Sequence, residues 1–130
     1  MIAVDTNVLL RFLTRDDPAQ FSRAVRMFGS EEIWIAKTVL LETEWVLRSL
    51  YRFKDREVAD AFRALAGLSN VHIEDAVAVS RAFDLWHSGL DFADALHLVS
   101  RGEAEMFATF DEKLVKRAQG AGGADVVLLK

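Results

Sequence analysis

The 130-residue sequence contains no cysteine. That excludes disulfides, zinc–thiolate centres and thiol nucleophiles together, and it suits a reducing compartment. No apolar run reaches the roughly 18 residues of a membrane span. The opening Met1-Ile2-Ala3-Val4-Asp5 lacks the basic stretch, apolar segment and cleavage site of a secretory leader. The expectation is therefore a soluble, untargeted, cytoplasmic protein with no membrane partner. Internal repeats, low-complexity tracts and linkers are also missing, and the length suits a single domain over 1–130. Net positive charge is lacking too: 20 acids stand against 16 Lys and Arg, a formal charge of −4. Alone, that speaks mildly against nucleic acid as a partner, because phosphate contacts come from basic surface, but distribution matters more than the sum. Nine of the 16 basic residues lie between Arg11 and Arg56, and a smaller group comprises Lys113, Lys116 and Arg117. For any one of these, a solvated helix face is the simpler reading.

What the sequence does have is a hydrophobic content of 52%, enough for a packed core and against disorder. Its pattern alternates strand and helix. Ile2–Val4 reads as a strand and Val8–Leu13 as a helix; Asp17-Pro18 opens the next helix, with Asp as N-cap and Pro at the first helical position. Ile33–Ala36 is a brief strand, after which Thr38 is expected to cap a helix running through Leu50. Asp55–Leu68 is amphipathic, with Val58, Ala61, Phe62 and Leu65 at helical spacing. Asn70 stops it before the strand Val71–Ile73. Asp75–Trp86 is a helix broken by Ser88-Gly89, and Asp91–Ser100 is the next. Met106–Ala108 reads as a strand, Asp111–Ala118 as a helix, Gly120–Gly123 as a loop and Val126–Leu129 as a strand. Such alternation implies parallel pairing by right-handed crossovers, an α/β sandwich.

In open parallel sheets, ligands bind beyond the carboxyl ends of the strands. Asp5 ends the first strand, and Asp111 lies just beyond Met106–Ala108. Glu42 falls in the first turn of the helix that Thr38 would cap, and Asp91 and Asp94 stand at i and i+3, turned toward one side of theirs. Capping accounts for each acid taken singly: an Asx-turn or cap for Asp5, a dipole-favoured helix start for Asp111, a variant capping box for Asp91 with Asp94. Glu42 is one position past a capping-box site and borders a stripe of Val39, Val46, Leu50 and Phe53. Glu44 stands on the other margin of that stripe, so periodicity leaves the choice between them open. The combination says more. Two unit charges about 5 Å apart repel by about 3 kcal/mol at an effective dielectric of about 20. Three or four carboxylates in one crevice therefore need a cation, or some stay protonated. Oxygen ligands, without Cys and with few His, select Mg²⁺ or Mn²⁺ over zinc.

Four short segments, Ile2-Ala3-Val4-Asp5-Thr6-Asn7, Val39-Leu40-Leu41-Glu42, Leu90-Asp91-Phe92-Ala93-Asp94-Ala95-Leu96 and Ala108-Thr109-Phe110-Asp111, occur in this order. In order and spacing they resemble the PIN-domain nucleases, and among them the VapC-type toxins of bacterial toxin–antitoxin pairs, essentially end to end. The resemblance implies a three-layer PIN-like α/β sandwich, with a central parallel sheet of about four to five short strands and helices on both faces. It implies an acidic quartet of Asp5, Glu42, Asp94 and Asp111, thus Glu42 over Glu44, with Thr6 or Asn7, Asp91 and Thr109 in support. Asp5, Asp94 and Asp111 would hold one or two Mg²⁺ (or Mn²⁺) ions, and Glu42 would ligate through water or orient the attacking water. The implied activity is metal-assisted hydrolysis of RNA phosphodiesters, leaving a 5′-phosphate and a 3′-hydroxyl. Arg11, Arg15, Lys113 and Lys116 are candidates for positioning the RNA backbone. The implied partners are the RNA substrate, a VapB-like antitoxin that inserts a helix or tail near the acids, and a second copy in a homodimer. His97 reads as a surface or supporting residue. Trp34, Trp45 and Trp86 read as core, though one of them, or Phe12 or Tyr51, could line a groove for a partner helix.

Other classes fit the residues less well. A haloacid-dehalogenase-type phosphatase needs a second Asp two residues after its nucleophile, where this chain has Asn7. A phosphoacceptor receiver domain needs an acidic pair after the first strand, which offers only Asp5, and an Asp after the third, which leads into Glu74-Asp75. A plain interaction module, with the acids as helix caps, makes a different prediction from a nuclease for Asp5→Asn and Asp94→Asn.

Overall fold

Strand β1 (Ile2–Ala3) leads through α1 (Thr6–Thr14) and α2 (Pro18–Ser30) to β2 (Ile33–Ile35). Helices α3 (Lys37–Ser49) and α4 (Asp55–Ala66) then lead to β3 (Val71–Ile73). After α5 (Ala76–His87) and α6 (Phe92–Val99) come β4 (Phe107–Thr109), α7 (Glu112–Gly120) and β5 (Val126–Leu128). The computed structural model describes residues 1–121 and 125–130. Within it the chain falls into two compact units, Met1–Ala76 and Val77–Lys130.

In the first unit β1, β2 and β3 form one parallel sheet in that order, with Ile2 opposite Ile33, and Ile33 opposite Val71. Bonds at the strand ends lengthen the short ladder: Ile2 N–H donates to Glu32 O (2.7 Å), and Glu74 N–H to Ile35 O (3.0 Å). Each crossover is a pair of helices, as parallel strands require. Asp17 caps α2 as its sequence suggests, accepting from Gln20 N–H at 3.1 Å with Pro18 inside the first turn. Asn70 ends the α4–β3 turn because its amide donates to Phe28 O (2.6 Å) and Glu31 O (2.8 Å). Leu9, Ile33, Ile35, Leu40, Leu47, Val58 and Phe62 are fully buried, and Phe12 stacks on Phe28 with ring centres 4.0 Å apart.

In the second unit β4 and β5 pair in parallel across α7, a small βαβ turn with Phe107 opposite Val126. Phe83, Trp86 and Phe92 cluster, with Trp86 4.6 Å from Phe92, and Leu90, Ala95, Leu96, Leu114 and Ala118 are buried. The break after α5 is the expected one: Gly89 takes a φ of +113°, which suits glycine alone.

Several expectations need correction. Instead of one sheet of four to five strands, the described residues form a three-stranded and a two-stranded sheet, because each strand is only two or three residues long. Thr38 does not cap α3. The N-cap is Ala36, without a side-chain bond, and Glu74 from beyond β3 satisfies the Lys37 N–H at 3.0 Å while Lys37 Nζ pairs with Asp75 at 3.1 Å. Helix α3 thus starts earlier, and Glu42 lies in its second turn. Of the tryptophans only Trp86 is core. Trp34 is the outward residue of β2, and Trp45 (55% exposed) lies off the buried face of α3. Gly120 closes α7 rather than opening a loop, and the rest of that expected loop, residues 122–124, lies outside the described residues. No helix among the described residues is long and apolar enough to cross a membrane.

Candidate functional site

Asp5 and Asp111 stand where a strand hands over to a helix, Asp91 and Asp94 at the start of α6 after α5, and Glu42 in the second turn of α3. Asp5, just past β1, caps α1: its Oδ1 accepts from Val8 N–H at 3.0 Å. The cap role is therefore real, yet Asp5 remains exposed and lines an open groove of about 550 Å³ with Thr6, Asn7 and Glu42. Thr6 Oγ1 donates a hydrogen bond to Glu42 Oε1, so the first residue of α1 fixes the carboxylate on α3. The stripe Val39, Val46 and Leu50 lines the apolar side of this groove rather than the core, and Leu50 is 69% exposed. The buried stripe of α3 is instead Leu40, Thr43, Glu44 and Leu47. Glu44 is 3% exposed and paired with Arg48 at 3.2 Å. Geometry therefore separates the two acids that periodicity could not: Glu42 lines the groove, and Glu44 is a buried carboxylate paired with the exposed Arg48.

Arg11 also borders the groove. Its Nε donates to Gln20 Oε1 (2.7 Å), and its Nη1 reaches Asp16 (3.1 and 3.2 Å) and the Tyr51 hydroxyl (3.1 Å). Tyr51 in turn donates to Asp16 Oδ2 at 2.7 Å, and Thr14 to Asp16 Oδ1 at 2.9 Å. Those two donors, with the Arg11 charge behind them, hold the Asp16 carboxyl below its usual range. Arg15 takes another role: with φ +60° it ends α1, and its guanidinium lies over the Phe21 ring at 4.9 Å.

In the second unit Asp91 is the N-cap of α6, and Asp94 lies in the first turn. Asp91 makes no side-chain capping bond, so the capping-box reading does not describe it. Asp94 is half-buried. Burial first, then the charges of Asp91 and Asp111, push its carboxyl above the usual range, and His97 and Arg117 offset this only partly. His97 is exposed. Asp111 follows β4 and caps α7, accepting from Lys113 N–H (2.9 Å) and Leu114 N–H (3.2 Å), while the Thr109 hydroxyl accepts from Asp111 N–H at 3.0 Å. Lys113 and Lys116 are exposed on α7.

Thus Asp5, Thr6, Asn7, Glu42 and Arg11 gather in the first unit, and Asp91, Asp94, Asp111 and Thr109 belong to the second. Among the described residues no three His, Asp or Glu side chains stand ready-grouped for a metal. The donor chemistry nonetheless fits a hard divalent cation: every candidate ligand is a carboxylate oxygen, and Asp94 sits among like charges that a cation would relieve. Sequence reasoning missed Asp16 and the capping role of Glu74, whose partners lie 35 and 37 residues away. Only the Arg11 to Asp16 spacing around the end of α1 could have hinted at Asp16.

Parallel strands connected through helices, with Asp5 and Asp111 just beyond strand ends, define an α/β protein. A profile of the PIN domain matches residues 2–120, and the chain belongs to the PIN domain family. PIN domains are in general nucleases, acting on nucleic acids and typically using divalent metals. No curated protein and no solved structure matches the chain.

Proposed function

We propose that the chain is a single PIN domain acting as a divalent-metal-dependent endoribonuclease, the toxin of a VapC-type toxin–antitoxin pair. In this reading Asp5, Asp94 and Asp111 hold Mg²⁺ or Mn²⁺, and Glu42, oriented by Thr6, positions the attacking water. A cation so bound would lower the pKa of water and neutralise charge on the phosphate. Asn7, Asp91 and Thr109 support these ligands. The Thr109 hydroxyl fixes the turn that carries Asp111. Arg11, Arg15, Lys113 and Lys116 position the RNA backbone. The product ends are a 5′-phosphate and a 3′-hydroxyl. A VapB-like antitoxin holds a cytoplasmic homodimer inactive.

The observation that carries the reading is Asp94. A half-buried carboxyl raised by burial and by two neighbouring aspartates is costly in the metal-free chain and useful to one that binds a cation. The test is incubation of the purified protein with total RNA, with and without Mg²⁺ or Mn²⁺, beside an Asp94→Asn control. Metal-dependent cleavage by the wild type alone supports the reading. Equal cleavage by both proteins, or none by either, removes it. Growth arrest on expression, relieved by a small neighbouring gene product, would support the toxin role.

A further inference from the structure

We infer that Asp16 and Tyr51 are positioning residues that hold Arg11 as a phosphate-binding residue at the groove of Asp5 and Glu42. This rests on the ribonuclease reading for the identity of the ligand, but on its own observations for the geometry.

Arg11 lies on α1 one and a half turns beyond Asp5 and Thr6. It lines the groove that contains Asp5 and Glu42, and also the adjoining one between α1 and α2 that Asp5 and Asn7 share. Its guanidinium is held at two of its three nitrogens. Nε is bonded to Gln20 and Nη1 to Asp16 and Tyr51, whereas Nη2 has no hydrogen-bond partner among the described residues. A planar guanidinium with two nitrogens committed has one orientation, and its remaining N–H donors are presented without rotamer loss. Tyr51 ties this arrangement to the end of α3, the helix that carries Glu42, since its hydroxyl touches both Arg11 and Asp16. An anion with oxygens on a repeating backbone is what such a donor recognises beside acids that repel any unassisted phosphate. In RNA that anion is the phosphodiester.

A purely structural clamp would use the same bonds to pin the α1–α2 turn, so the test must read something the fold alone does not. RNA binding is measured by fluorescence anisotropy with a labelled single-stranded RNA oligonucleotide and Mg²⁺, in an Asp94→Asn background that keeps the RNA whole. Arg11→Ala is expected to bind about tenfold more weakly at low salt, and to flatten the slope of log Kd against log salt by about 0.7. Arg11→Lys should restore the slope but not the full affinity, because a point charge replaces the fork. Asp16→Asn gives the sharpest arm. It removes a negative charge, so bulk electrostatics predicts tighter binding, whereas loss of positioning predicts several-fold weaker binding. Tyr51→Phe should weaken binding in the same direction with the slope unchanged.

Melting temperatures are recorded for every variant. Unchanged affinity and slope in Arg11→Ala, with a lowered Tm, would make the clamp structural only. Tighter binding by Asp16→Asn would remove the positioning role. Should Arg11→Ala not fold, Arg11→Lys and Tyr51→Phe carry the same decision. Because the readout is binding, these results stand apart from the cleavage assay: RNA bound through Arg11 but never cut would overturn the nuclease reading and leave this one intact.

Discussion

Thr6 and Glu42, 36 residues apart in sequence, are joined by a hydrogen bond from the threonine hydroxyl to Glu42 Oε1. One carboxylate oxygen is thereby fixed by a β-branched side chain with few rotamers, on a residue that lines the groove. If Glu42 orients the attacking water, the bond has a catalytic consequence. Thr6→Val, which keeps shape and removes the donor, should lower kcat/KM for RNA cleavage by about 10–100-fold. Thr6→Ser should recover most of the loss. Stability should change by about 1 kcal/mol at most, as urea unfolding would measure. Full activity in Thr6→Val would show that the bond serves the fold alone.

Asp94 links stability to pH in an unusual sense. Its carboxyl is raised by burial and by Asp91 and Asp111, so the folded chain binds this proton more tightly than the unfolded chain does. The stabilisation is complete below the ordinary aspartate range and is lost as pH rises through the elevated folded value. At neutral pH the charged side chain therefore weakens the metal-free fold. Asp94→Asn should raise the metal-free Tm at neutral pH, with the gain shrinking toward low pH. Mg²⁺ should stabilise the wild type more than the variant. A lower Tm for Asp94→Asn in the absence of metal would contradict the account.

Three of the helix-start aspartates, Asp5, Asp91 and Asp111, should separate by substitution. Asp5 and Asp111 accept capping bonds and Asp91 accepts none. Asp5→Ala and Asp111→Ala should each cost about 1 kcal/mol of stability, and the Asn variants far less, because asparagine caps as well as aspartate. Asp91→Ala should leave stability within a few tenths of a kcal/mol, roughly the value for an unbonded surface site. Denaturant unfolding of the five variants provides the comparison, and a large loss in Asp91→Ala would reveal a cap bond that the geometry lacks.

The Asp16 carboxyl is depressed chiefly by the Tyr51 hydroxyl, then by Thr14, with the Arg11 charge contributing less. A depressed acid stabilises the fold above its unfolded pKa, and that contribution disappears as pH falls through the folded value. Tyr51→Phe should move the Asp16 titration upward, and Thr14→Val should do so by less. NMR titration of the carboxyl carbon reads both shifts, and an unmoved titration in Tyr51→Phe would mean that the bond is not populated in solution.

Local chemistry made much of this architecture legible. Asp17-Pro18, Asn70 and Ser88-Gly89 mark element ends through bonds and backbone angles that a sequence carries within a few residues, and β3 runs over the expected Val71–Ile73. The misplacements have long-range causes. Thr38 reads as a cap, but Glu74 instead accepts from the Lys37 N–H at the start of α3, 37 residues from its partner. The α3 core face was concealed because a buried carboxylate, Glu44, interrupts its apolar pattern, while Val39, Val46 and Leu50 form a cleaner stripe on the groove side. Strands of two or three residues carry too little alternation to say which will share a sheet, and so the expected central sheet was not found. At the site, the acids were readable as residues after strands or at helix starts, whereas the clamp around Arg11 depends on side chains that only folding brings together.

The central proposal is that Asp5 and Asp94 are both needed for metal-dependent RNA cleavage. Its most direct measurement is Mn²⁺ binding by isothermal titration calorimetry, paired with Mn²⁺-dependent RNA cleavage, for the wild type, Asp5→Asn and Asp94→Asn. Asparagine preserves the cap at Asp5, and all three proteins should give folded circular-dichroism spectra. The wild type should bind Mn²⁺ and cut RNA only with it, and each variant should lose cleavage and most of the binding. Cleavage at the wild-type rate by either variant, or undiminished Mn²⁺ affinity in both, would contradict the proposal.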